Sequence, residues 1–426
     1  MKFSIPLAAG LLQLCAATGA AQFFNDFDQP PHDYWTVPMH DPMTELLRRV
    51  EKGGTRLDDA PGLPLVKRLL KELDIPEESQ VLVFSKTSLQ RGAVTPSNPR
   101  AIYFNEEAYV AWMPGGRIEI ASSDPERGAV FYFQRKLDQS KGKLFTRDRV
   151  CIQCHAGSAT NFLPGLLGRS VYPDARGRSL KSVDSFERVG HNVPIGDRWG
   201  GWYVTGSHAG LHHMGNSIAA RAAGGVDIDR EKNAALSGLG AFFDEGKYPH
   251  KGSDIVALLV LDHQVSMHFK LMEAHYVVRQ IIADAKWKDG QLPDELPEEF
   301  ALELDGAAER VVSHLLFQHE APLGDDKIVG SGAFQKVFLA SRKTDSDGRS
   351  LKDLRLQGRL FEHRCSFMIH SKSFVGMPEI LKKTVLKKIR AVLSAEKAPD
   401  GYEHLPEAER KAILQILTAT VPGFEN

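Results

Sequence analysis

Cysteine is scarce in this chain, with four among 426 residues. That is too few for a disulfide-built scaffold of such length. Charge of one sign is missing as well. Lys plus Arg number 53 against 54 Asp plus Glu, a formal balance of −1, without the basic excess or stripe that a nucleic-acid partner requires. Glycine (37) and proline (23) stay near average usage, which excludes a fibrous or wholly disordered chain. Beyond the N-terminal stretch no uninterrupted apolar run reaches bilayer-spanning length, so no integral membrane segment is expected in the mature chain. Internal repeats and low-complexity tracts are lacking too. What is present is a 42% hydrophobic composition, enough for a large core and for more than one domain.

The N-terminus reads as an address. Met1-Lys2 is a short basic start, residues 3–17 are mostly apolar, and the small residues Ala17, Gly19, Ala20 and Ala21 follow. This order predicts a secretory signal peptide over 1–21. Leu14 is bulky where a lipoprotein site wants a small residue, so Cys15 is assigned to the removed segment. Cys151, Cys154 and Cys365 remain, and the mature protein is expected in the periplasm.

Apolar spacing at three and four predicts short helices over 43–52 and 63–73. Strand-like runs follow over 80–85, 101–105, 108–113, 117–121 and 129–134, punctuated by Pro96, Pro99, Gly115 and Gly116. They suit a small antiparallel sheet. Residues 149–250 are Gly-rich and irregular. Helical patterning then takes over at 253–287, 297–319, 336–342, 378–394 and 406–420, with Pro297 and Pro378 placed where a first helical turn tolerates them. The expected class is α+β. An N-terminal region spans 22–148, a cofactor-binding region 149–250 and a helical region 251–426.

The chemistry lies in Cys151-Ile152-Gln153-Cys154-His155. Two thiols at C-x-x-C spacing can add to the two vinyl groups of one haem, and the adjoining His then faces the iron as its axial ligand. Chance would supply roughly 0.001 such pentads from this composition, so accident explains it poorly. A structural zinc site would need a second ligand pair, which Cys365 alone does not provide. A thioredoxin-like redox pair would need a βαβ context that is missing. One covalent haem c is therefore expected, held by Cys151, Cys154 and His155.

The sixth iron ligand is sought in residues 196–216, which hold six glycines, Trp199, Trp202, three histidines and Met214. Trp199 and Trp202 would pack on the macrocycle and exclude water, and Arg198 would neutralise a propionate. Met214 is the first candidate for the iron, followed by His213 and His208, with His212 also in the segment. A thioether raises the potential and a second imidazole lowers it. A rival pair is His263 and Met267, which share one face of the helix over 253–287. The ordinary reading of these residues is tightly packed turns, and of His263 a satisfied core histidine. Lys382, Lys383, Lys387, Lys388 and Arg390 make one helix basic, which suits either docking of an acidic redox partner or a solvated face. Cys365 reads as a small buried hydrophobe.

These residues together resemble a group of large exported bacterial proteins with a single cytochrome c motif, known as cytochrome c domain-containing. The resemblance runs from about residue 41 to the C-terminus. It is carried by the C-x-x-C-H and by segments 83–90 (VFSKTSLQ), 99–105 (PRAIYFN), 164–171 (PGLLGRSV), 198–206 (RWGGWYVTG), 213–216 (HMGN) and 262–268 (DHQVSMH). At 365–370 the chain has CSFMIH where a Tyr-rich version is expected. The resemblance implies haem binding and electron transfer. The expected function is therefore electron transfer through one haem, with a redox protein as partner. The alternative is a haem enzyme with an open distal position, peroxidase-like or a small-molecule oxidoreductase, in which Arg198 with His208 or His213 would serve as the distal pair.

Overall fold

Period-two alternation sets the centre of the molecule. In the computed structural model, which describes residues 27–57, 61–135, 143–183, 189–207, 210–231, 235–285 and 295–424, two helices lead in: α1 (Pro42–Glu51) and α2 (Leu63–Glu72). Six strands follow: β1 (Val81–Val83), β2 (Arg100–Phe104), β3 (Ala108–Trp112), β4 (Glu119–Asp124), β5 (Gly128–Gln134) and β6 (Phe145–Arg147). Then come α3 (Arg149–His155), the hairpin β7 (Val171–Pro173) and β8 (Ser179–Ser182), β9 (Trp202–Tyr203), and the hairpin β10 (Ala219–Ala222) and β11 (Gly225–Ile228). The C-terminal part holds α4 (Ile255–Ala285), α5 (Glu298–Leu315), α6 (Ala333–Ala340), the hairpin β12 (Leu354–Gln357) and β13 (Arg359–Phe361), α7 (Lys372–Val375), α8 (Glu379–Ser394) and α9 (Glu407–Thr420). The class is α+β.

Seven strands form one antiparallel sheet in the order β6-β5-β4-β3-β2-β1-β9. Because successive side chains face opposite ways, the sheet serves two cores. Leu82, Ala101, Val110, Ile120 and Tyr132 pack toward α1 and α2, whose Met43, Leu46, Leu65, Val66, Leu69 and Leu70 are buried. Val83, Tyr109 and Phe131, with Ile102 and Ala121, face the other way, toward α4 and the helices around it. Each large apolar side chain buried in this way contributes about 1.5–3 kcal/mol. The Asp41 carboxylate fastens α1 to the sheet. It accepts from the backbone of Met43 and Thr44 and from the Tyr132 hydroxyl at 2.8 Å.

The long helix α4 is buried nearly all round. Among the described residues it is the one helix apolar and long enough to cross a membrane, with a mean hydropathy of 1.3 over its most apolar stretch. It is not an uninterrupted apolar run, because Asp262, His263 and Gln264 break it. The fold sheathes 89% of that stretch, so here it serves as the axis of a core. Its buried polar side chains find partners, although His275 Nδ1 is left without one. Gln264 donates to the Asn105 carbonyl at 2.7 Å, and ring nitrogens of His268 and His275 each lie 2.9 Å from a carbonyl, of Glu106 and Ser373. Such pairing is what a polar group inside a core requires.

Two expectations shift at the edges. The helix expected over 297–319 stops at Leu315, because Phe317 and His319 take positive φ, +56° and +63°. The stretch 149–250, expected to be irregular, also contributes three short strand pairings: β7 with β8, β10 with β11, and β9 with β1. Residues 1–21 and 287 lie outside the described residues.

Candidate functional site

Asp148 starts α3 by accepting from the Val150 backbone at 3.0 Å. A helix from that point puts Cys151, Cys154 and His155 on one face, since positions three and four apart are neighbours. Both cysteines are free thiols, and burial pushes that of Cys151 up to about 12. His155 Nδ1 lies 2.9 Å from the Gly165 carbonyl. A carbonyl can only accept, so Nδ1 carries the hydrogen. Burial also holds the ring down to about 4, which keeps it neutral and leaves the lone pair on Nε2. A backbone carbonyl that fixes the tautomer in this way is how metal-ligating imidazoles are usually oriented. Phe131 packs against the ring, with centroids 4.2 Å apart.

All three motif side chains line one cavity of about 1310 Å³, measured out to its mouth. The floor is the α4-facing side of the sheet, where Val83, Ile102, Tyr109, Ala121 and Phe131 are joined by the Arg100–Glu119 ion pair at 2.7 Å. Leu166 to Arg169, Val189 and Trp202 form a wall, and Leu261, Asp262 and Val265 on one side of α4 close the roof.

Two polar groups in this lining carry weight. Arg169 has a buried Nε with no hydrogen-bond partner, while its carbonyl accepts from the Trp202 indole at 2.8 Å. Asp262 accepts from the Trp199 indole at 3.0 Å and stands 3.6 Å from the Arg198 guanidinium. Burial pushes its carboxyl up to about 6, against the opposing pull of Arg198 and Trp199. Trp199 reaches it from a left-handed backbone, φ +65°, a conformation that costs a bulky residue on the order of 1–2 kcal/mol and that tends to be kept where a side chain must be aimed.

The structure thus gathers Cys151, Cys154, His155 and Trp202 at one cavity wall. Arg198 and Trp199 stand behind Asp262 rather than in the lining. Arg198 is further engaged by the carbonyls of Val193 and His191 at 2.7 and 2.9 Å. Met214 is fully buried in a separate cluster with Ala219 and Ile228. His213 accepts from the Gly215 backbone at 3.0 Å and meets the Trp199 ring edge-on. His212 is exposed, and His208 lies outside the described residues. His263 and Met267 are fully buried on parts of α4 that do not line the cavity. Lys388 of the basic helix pairs with Asp305 and Glu309 of α5, and Cys365 is buried in the core. Reasoning from sequence assigned no role to Arg169 or Asp262. A signal for Asp262 was there, because a carboxylate amid an apolar helical run must have a buried partner.

As a donor set, these residues fit a flat, mostly apolar macrocycle bearing two vinyl groups and two carboxylates. Two free thiols and a neutral imidazole stand on one face, the walls are aliphatic and aromatic, and Arg169 Nε awaits an acceptor. No family model, curated protein or solved structure matches the chain.

Proposed function

We propose that the chain is an exported, periplasmic redox protein that binds one haem c through Cys151 and Cys154, with His155 as axial ligand. The observation that carries this reading is the cavity. Its lining holds all three residues of the C-x-x-C-H motif, large apolar walls and an arginine Nε without a protein partner. When bound, the group would supply one-electron chemistry at an iron that His155 would hold. The chain's own residues do the rest. His155 is kept neutral and oriented by Gly165, Phe131 and Trp202 exclude water, and Arg169 meets a carboxylate. Asp262, with its carboxyl near neutrality, can hold or release a proton at the roof.

Among the described lining residues, His155 alone offers an imidazole, and none offers a thioether. This favours an exchangeable sixth position, and so a small-molecule oxidoreductase, over a pure electron carrier. In that reading Asp262, rather than His213, is the distal acid–base group, with Arg198 and Trp199 as its positioning residues. Electron transfer to a redox partner protein, the function expected from the sequence, becomes the second reading, because Met214 and His263 are buried away from the cavity.

Ferric and ferrous absorption and EPR spectra of the full chain, made in a host that attaches haem, test the proposal. A high-spin ferric signal that disappears rapidly on cyanide addition is expected. A low-spin ferric haem with a far-red sulfur-to-iron band would overturn the exchangeable position, and a colourless protein would overturn haem binding itself.

A further inference from the structure

Three histidines meet in the core away from the cavity. His191 precedes β9, His263 is on α4 and His314 is on α5, and they are 2%, 0% and 5% exposed. One ring nitrogen from each lies within 4.8 Å of the others. His191 Nδ1 and His263 Nδ1 are 2.9 Å apart, close to the roughly 3.3 Å between nitrogens that share a tetrahedral ion at about 2.0–2.1 Å. Two of the rings are also held by hydroxyls: His263 Nε2 by Ser366 Oγ at 2.7 Å and His314 Nε2 by Ser266 Oγ at 2.8 Å. The His191 ring differs, because its Nε2 is buried with no hydrogen-bond partner. Phe317 stacks within 4.5 Å of both His191 and His263, and Phe361 and Phe367 complete a dry surround.

Burial keeps all three rings neutral. It holds His263 down to about 3 and the other two well below the usual imidazole range, aided by their mutual proximity and, at His191 and His263, by Arg198. The Gln318 main chain opposes this only in part at His191, and Lys270 adds to it at His314. Neutral imidazoles are the protonation state a metal needs. A buried cation also needs counter-charge. Asp262 lies 3.6 Å from Arg198, and the field of Arg198 also reaches Glu320. Glu320 is shared with Arg364 and Arg359, so the counter-charge beside the cluster is Asp262, and Arg198 itself donates to the His191 carbonyl at 2.9 Å.

We infer that His191, His263 and His314 form a second site, which takes one borderline first-row transition-metal ion, zinc or copper, through three imidazole nitrogens. The donor set selects that class. It holds no oxygen cage for calcium or magnesium and no thiolate for a purely soft ion. Three protein ligands also leave a fourth position open, the pattern of reactive rather than closed sites. None of the three histidines lines the cavity beside α3, so the inference does not rest on the haem reading.

The test uses the full chain as isolated, whether or not it carries haem, purified without a metal-affinity tag. One portion is dialysed against zinc sulfate and another against copper sulfate, and both are then returned to metal-free buffer. Elemental analysis counts zinc or copper per chain, with iron counted separately. Close to one zinc or copper per chain is expected in the wild type, falling below a tenth in His191→Gln and in His314→Gln with iron unchanged. A wild type that keeps neither metal, or variants that keep as much as the wild type, would overturn the inference. Should the variants fail to fold, X-ray absorption of the wild type at the zinc or copper edge decides. A shell with three imidazole scatterers supports the site, and an oxygen-only shell overturns it.

Discussion

The Trp199 indole donates to Asp262 across 3.0 Å, and this bond links the Gly-rich segment to the roof of the cavity. The bond stabilises the ionised carboxylate, against burial. Trp199→Phe removes it and leaves Arg198 in place. A hydrogen bond of about 0.5–1.5 kcal/mol corresponds to a rise of up to about one pH unit. The Asp262 midpoint should therefore move up from about 6, read as the pH dependence of the rate at which cyanide binds the ferric protein. An unchanged midpoint would remove Asp262 from the chemistry.

The two thiols should act together. Cys151→Ser with Cys154→Ser is expected to abolish the band in a haem stain on a denaturing gel, while the wild type stains. A stained double variant would show that the sulfurs do not hold the group.

Arg169→Met separates two states of the protein. Without cofactor it removes a buried Nε that has no partner, so stability should hold or rise, by up to about 1–3 kcal/mol. With cofactor it removes a counter-charge, so the melting temperature should fall. Thermal melts of both forms check the opposite signs, and parallel shifts would refute a propionate partner.

Acid should unfold the protein steeply. Burial lowers His263 to about 3 and His268 and His275 to about 4, from an ordinary 6.5. Each is neutral in the fold and takes up a proton in the unfolded chain below about 6.5. The unfolded state thus binds more protons, and stability falls as pH drops from about 6.5 toward 4. Each such histidine contributes up to about 1.4 kcal/mol per pH unit. Melting temperature against pH over that window checks it. A flat profile would mean that these rings are not buried.

Gly200 should tolerate no side chain. A Cβ there would sit 2.2 Å from the Val171 carbonyl oxygen, which is backbone and cannot swing aside. Gly200→Ala is expected to destabilise by about 1–3 kcal/mol or more, measured by denaturant titration.

Much of the secondary structure was legible because periodicity is local. The alternation of Val83, Ile102, Tyr109 and Phe131 marked strands, and the spacing of Leu65, Leu69 and Leu70 marked a helix. The motif at 151–155 was legible because its spacing is chemical as well as structural. The rest was hidden by distance along the chain. Nothing local in Arg169 announces that Nε will be left unpaired, and His191, His263 and His314 are 72 and 51 residues apart in sequence. Met214 is the first candidate for the iron as the one thioether in the Gly-rich stretch 196–216. Its actual neighbours, Ala219 and Ile228, come from a hairpin that the composition did not mark. Phe317 and His319 ended α5 through backbone conformation alone, which no apolar spacing encodes.

The cavity is assembled from both ends of the order in which the chain is made. Its floor and thiols belong to residues 83–169, whereas Val189, Trp202, Leu261, Asp262 and Val265 arrive later. Because N-terminal parts tend to fold first, and an exported chain is also delivered from its N-terminus, Cys151 and Cys154 would face solvent until α4 packs over the sheet. An enzyme that must modify those sulfurs meets both at their most open before the roof packs, and afterwards Cys154 stays exposed while Cys151 is half-buried; a circular permutant that began with α4 would narrow the access to Cys151 first.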